Sequence, residues 1–102
     1  MGLSDLTDPG AVMAAMREYD AIGRDAFLDK YGFKPARRYF LVHDGRRYDS
    51  KAIVGAAYGF QHGSPLLWDS FSGGEATVAP LLQALGFDVI RNPHAAQGHA
   101  GT

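Results

Sequence analysis

Apolar positions along the chain follow two rhythms, one helical and one alternating, and the change between them comes near Arg37. Val12, Met13, Met16 and Tyr19 recur at three-to-four spacing, which marks one face of an amphipathic helix. Asp8-Pro9 opens it: an acid at the N-cap, then a proline whose missing N–H costs nothing in the first turn. After Gly23 a second short stripe, Phe27, Leu28 and Tyr31, runs to Gly32, which suits a left-handed stop, and Pro35 confirms the break. The expected helices cover 9–21 and 23–31.

From Arg37 the texture becomes RRYFLVHDGRRYDS. Aromatic and branched residues flank Asp44-Gly45, a pair that tolerates the positive φ both central positions of a tight hairpin turn require. A two-residue turn pairs His43 with Arg46, Val42 with Arg47 and Leu41 with Tyr48. Alternation then places Tyr39, Leu41, His43, Arg46 and Tyr48 on one face, and Arg38, Phe40, Val42 and Arg47 on the other. Both faces are apolar at the root and basic toward the tip, so the root is expected in the core and the tip as a probe.

Asp49 or Ser50 caps a third helix from Lys51 to about Phe60, with Ile53, Ala56, Ala57 and Phe60 facing inward. Ala52, Gly55 and Ala56 are small enough for a close neighbour. Residues 61–71 form a loop around Trp68, the single tryptophan. Ser72-Gly73-Gly74-Glu75 has the form of a capping box, yet the ring of Pro80 would clash with the carbonyl of Ala76 in one straight helix. A restart with Thr77 as N-cap resolves the conflict and makes Val78, Leu81, Leu82 and Leu85 the buried stripe. Gly86 ends that helix, and a last strand covers 87–91. The expected fold is α+β: a small antiparallel sheet, hairpin 37–49 plus strand 87–91, packed by about four helices. Residues 1–92 make one domain, and 93–102 a tail or linker.

At 102 residues, 46% hydrophobic and 21% charged, this is the composition of one ordinary globular domain with a modest core. Cysteine is absent, which removes disulfides, thiolate metal sites and thiol nucleophiles. No apolar run reaches the roughly 18 residues of a membrane span. The first residues lack an apolar signal core, and Asp5 and Leu6 stand where a myristoylation motif needs Ser or Thr. The expected location is cytoplasmic.

Charge changes the picture more. The net charge is −1, yet seven of the ten basic side chains lie between Lys30 and Lys51, with only Asp44 and Asp49 against them. Such a local stripe is the footprint of a face that meets a phosphate backbone, or else a solvated hairpin. Within it, Arg37, Arg38, Arg46 and Arg47 offer planar forks for phosphates or base edges, Tyr39 and Tyr48 can stack, and His43 stands at the tip. Ser50 and Lys51 begin a helix, where free N–H groups favour an anion. The structural alternative makes Tyr48 core, Asp49 a cap and Lys51 a solvated side chain. Ser72, Gly73 and Gly74 could cradle a phosphate or form a plain turn; no P-loop lysine follows them. Catalytic patterns are missing: no GxSxG, no HEXXH, and no His/Asp cluster at metal-ligand spacing among His43, His62, His94 and His99. No enzyme, cofactor or metal is expected.

Three blocks, GRDAFLDKYGF, RRYFLVHDGRRYDSKAIVGAAYG and FSGGEATVAPLLQALGFDVI, together resemble the N-terminal head domain of McrA-like (ScoMcrA-type), modification-dependent type IV HNH restriction endonucleases. The resemblance spans about Leu6 to Ile90. It implies a system that cuts foreign DNA carrying modified bases such as 5-methylcytosine, with the HNH metal site and the modification readers in other parts of the parent polypeptide. The matching positions are Arg46, Tyr48, Asp49, Ser50 and Lys51 in the hairpin block, then Phe71, Gly73, Gly74, Gly86 and Phe87. The resulting expectation is a domain that binds double-stranded DNA, methylated or otherwise modified, through its hairpin tip. The rival is a protein-interaction or dimerisation module using Leu66, Leu67, Trp68 and Phe71.

Overall fold

The computed structural model describes residues 3–36, 38–71 and 77–91. A single 3-10 turn, Leu3–Asp5, leads to α1 (Pro9–Ile22), where the Asp8 side chain accepts from the backbone N–H of Gly10 as an N-cap should. Gly23 separates α1 from α2 (Arg24–Tyr31), and Gly32 ends α2 at φ 75°, ψ 30°, the left-handed stop read from the sequence. The hairpin is β1 (Tyr39–His43) and β2 (Arg46–Asp49), with Asp44 at φ 54° and Gly45 at φ 77°. That pair of positive angles fixes the expected register: His43 opposite Arg46, Val42 opposite Arg47 and Leu41 opposite Tyr48.

Helix α3 (Ser50–His62) follows directly, then α4 (Val78–Ala84) with Thr77 at its N-cap, then β3 (Asp88–Arg91). β3 joins the free edge of β1 antiparallel, so the order is β2-β1-β3, with Leu41 opposite Val89 and Phe40 opposite Ile90. The described residues thus form an α+β fold of four helices and a three-stranded antiparallel sheet. Leu41 and Tyr48 turn into the core on the face predicted for them, while Phe40, Val42 and Ile90 on the opposite face stay half-buried.

The core gathers Val12 and Met16 of α1, Phe27 of α2, Ile53 and Val54 of α3, and Val78 and Leu82 of α4. α3 is buried along nearly its whole length, from Ala52 to Tyr58. Its small residues serve the chain that returns after it. A Cβ on Gly59 would meet the Pro65 backbone at 2.9 Å, and Leu66 donates its N–H to the Gly55 carbonyl at 3.1 Å. Near the end of α3, Phe60 does not face inward as expected but is half exposed. Leu81 and Leu85 likewise sit at the margin of the core, and Ala79 is buried in their place.

Candidate nucleic-acid interface

Part of the basic stripe does not stay free once the chain folds. Helix α1 carries two acids, Glu18 and Asp20, on the side that meets it. Lys30 donates to Glu18, as does the hydroxyl of Tyr31. Burial pushes the Glu18 carboxyl up, but those two hydrogen bonds and the Lys30 charge outweigh it and hold the group low. At the hairpin tip Arg46 reaches Asp20 at 3.2 Å, and the buried Tyr48 donates its hydroxyl to the same carboxylate at 3.0–3.1 Å. Arg46 is therefore tied to α1, and Tyr48, 3% exposed, presents no ring face for stacking. His43 rests edge-on against Phe87 and lies 3.5 Å from Asp44. Arg47 is exposed, with no ion pair among the described residues. The tip is thus a partly neutralised corner rather than a bare probe.

At the root the chemistry is different. Asp49 is 1% exposed and sits at the N-cap of α3, but its carboxylate does not cap the helix. It accepts from Arg24 Nε at 2.9 Å and Nη2 at 2.8 Å, from the backbone N–H of Ala36 at 2.7 Å, and from the hydroxyl of Tyr19. Burial alone would raise its pKa; the Arg24, Tyr19 and Ala36 hydrogen bonds more than reverse that, and the group is held below the usual carboxylate range. Tyr19 is pushed the other way, by burial first and by Asp49 second. Ser50 is also consumed: buried to 2%, it donates its hydroxyl to the Tyr39 carbonyl at 2.9 Å.

With Asp49 turned inward, the outer side of the root is a cavity of about 390 Å³ lined by cations and flat rings. Lys34 enters from the connection after α2, Arg38 from just before β1, and Lys51 from the first turn of α3. Phe33, Tyr39 and Trp68 supply aromatic walls. The ammonium groups of Lys34 and Lys51 lie 5.3 and 5.2 Å from the centre of the Trp68 ring, and Lys51 is 5.1 Å from that of Phe71. Burial lowers the Lys51 pKa, and the nearby charge of Asp69 opposes the shift. Among the described residues none of the three cations has an ion-pair partner. The arrangement can take up an anion that also carries an apolar surface.

Of the expected site residues, the structure brings Arg38, Tyr39, Ser50 and Lys51 together at this cavity and leaves His43, Arg46, Arg47 and Tyr48 toward the tip or in the core. Arg37, Ser72, Gly73 and Gly74 lie outside the described residues. Lys34 was expected only as one base of the stripe, and Trp68 only in the rival apolar patch. The hairpin register brings Arg38 near the start of α3, where Lys51 lies, but it holds no signal for Lys34 or Trp68. The expected apolar patch is divided: Leu67 and Trp68 are exposed, whereas Leu66 and Phe71 pack against the core. No group of metal-ligating side chains occurs among the described residues, and no helix among them is long and apolar enough to cross a membrane.

Two comparisons bear on this geometry. Residues 4–91 match the family model described as the ScoMcrA-like N-terminal head domain. Among solved structures, the type IV phosphorothioation-dependent restriction endonuclease ScoMcrA is similar, with a TM-score of 0.63 and 31% identity over 85% of this chain. The match covers 13% of the ScoMcrA chain. No curated protein matches.

Proposed function

Since the chain belongs to the ScoMcrA-like N-terminal head-domain family, we propose that it is the DNA-binding head of a restriction endonuclease and holds duplex backbone at the hairpin root. One observation carries this reading: Lys34, Arg38 and Lys51, three cations from three separate segments, converge on one cavity, and none has an ion-pair partner among the described residues. Unpaired cations placed side by side repel one another, so an arrangement that collects them suits an external polyanion. The start of α3, which has no side-chain cap, adds its dipole in the same sense. Arg47, exposed on the same hairpin, extends the contact along the strand. In this reading cleavage belongs to other parts of a longer polypeptide, and the head contributes affinity and placement.

The narrower part of the proposal is that the head responds to DNA modification, methylation of the base or the phosphorothioate backbone on which ScoMcrA is described as depending. The rival interaction-module reading is weakened by the divided apolar patch and by the two ammonium groups over the Trp68 ring.

Duplex binding measured by fluorescence anisotropy over a salt series tests the reading. Neutralising three to four phosphates should give a log–log salt slope of about −3 to −4. Reversing Arg38 and Lys51 to Glu should abolish binding, while reversing Arg46 and Arg47 should weaken it less, because Arg46 is already paired. Comparing unmodified, methylated and phosphorothioated duplexes at one ionic strength tests the modification response. A folded Arg38/Lys51 variant that binds like wild type would refute the assignment; loss only in the Arg46/Arg47 variant would return the interface to the tip.

A further inference from the structure

We infer that the cavity at the hairpin root accepts a single nucleotide turned out of the base stack, with its phosphate on Lys34, Arg38 and Lys51 and its base against Trp68. This deepens the DNA-binding reading above and rests on it.

Shape is the first reason. Contacts to duplex phosphates alone need only basic side chains on an outer surface. Here the cations open onto a concavity of about 390 Å³, within the roughly 300–1,000 Å³ of small-molecule sites. Composition is the second. The cations share the cavity with Phe33, Pro35, Ala36, Ala52 and Trp68, so it is charged and apolar at once. A nucleotide has that same division, an anionic phosphate joined to a flat ring that stacks on aromatic side chains.

The third reason is the state of Trp68 itself. The residue is 45% exposed, and two ammonium groups attend its ring. A cation over an indole is held more weakly than one hydrogen-bonded to a phosphate. An arriving phosphate therefore draws Lys34 and Lys51 off the ring and frees the indole face for the base in the same event. The partial burial that depresses Lys51, which the nearby charge of Asp69 offsets only in part, is then further compensated by a counter-ion. Asp49, the acid in the cavity lining, is already engaged by Arg24, Tyr19 and Ala36 and faces the ligand with no spare charge.

The test titrates the full chain by calorimetry with deoxynucleoside 5′-monophosphates, the matching deoxynucleosides and inorganic phosphate, and with duplexes either fully paired or carrying one mismatch. Trp68, the single tryptophan, gives a parallel fluorescence signal in the wild-type protein. A monophosphate should bind about 10-fold more tightly than inorganic phosphate or nucleoside, and Trp68→Ala should remove that advantage. Trp68→Tyr, which keeps a flat ring, should retain most of it. The mismatched duplex, which yields a base more easily, should bind more tightly than the paired one. Inorganic phosphate binding as well as the monophosphates, or a mismatch preference unaffected by Trp68→Ala, would overturn the inference. Paired duplex still lost in the Arg38/Lys51 variant would leave the broader DNA-binding reading standing in that case. No binding of any duplex by wild type would remove both.

Discussion

Asp49→Asn should be among the most damaging near-isosteric changes this domain can carry. The carboxylate takes four hydrogen bonds, two from Arg24 and one each from Tyr19 and Ala36, and is 1% exposed. An amide keeps one acceptor oxygen and turns an NH₂ group toward donors, so two or more of those bonds are lost. Hydrogen bonds to a charged group contribute about 1.5–3 kcal/mol each, and a buried donor left without an acceptor costs a similar amount. The Arg24 side chain is 44% exposed and regains water, so its share falls toward the about 0–1 kcal/mol of a surface pair. Loss of about 2–4 kcal/mol remains, a fall in Tm of about 10–25 °C for a domain of this size. Urea and thermal unfolding followed by far-ultraviolet circular dichroism measure it. Because the folded carboxyl titrates below its unfolded value, its contribution is full at neutral pH and disappears as pH falls through the folded pKa. The gap between wild type and Asp49→Asn should therefore close on acidification. A loss under about 1 kcal/mol at neutral pH, or a gap that persists in acid, would refute the reasoning.

Tyr48→Phe removes only the hydroxyl that donates to Asp20. It should cost about 0.5–1.5 kcal/mol in urea unfolding and leave DNA affinity unchanged, since the ring is buried. Gly55→Ala would drive a Cβ into the Phe33 ring and place it 3.0 Å from the Leu66 carbonyl oxygen. It should destabilise by about 1–3 kcal/mol and, by displacing a wall of the cavity, weaken phosphate binding measured by calorimetry.

What could be read from the sequence was what neighbouring residues decide. Asp44-Gly45 fixes a turn and hence a register, and Pro80 sits in the first turn of α4, which begins at Val78 behind Thr77; both rest on steric rules that act within a few residues. Asp49 shows the limit. Read locally, an acid before a helix is a cap. Its actual partners, Arg24 and Tyr19, stand 25 and 30 residues away, and nothing in their spacing announces them. The charge stripe was legible only in part for the same reason: a count along the chain finds Lys34, Arg38 and Lys51 but cannot show that Glu18 and Asp20 fold back to pair with Lys30 and Arg46. Phe60 fits the helical stripe, yet is half exposed near the end of α3.

Asp49 also says something about how this domain can be inherited. Its four bonds come from α1, from α2, from the connection before the hairpin and from nowhere within the helix it precedes. A chain cut between Tyr19 and Asp49 would leave a buried acid in one piece and its donors in the other. The cavity shares those segments, since Lys34 and Arg38 flank Ala36 and Lys51 follows Asp49 by two. The head is therefore indivisible as a heritable unit: recombination can pass it whole from one polypeptide to another, but it cannot pass the cavity without the keystone beneath it.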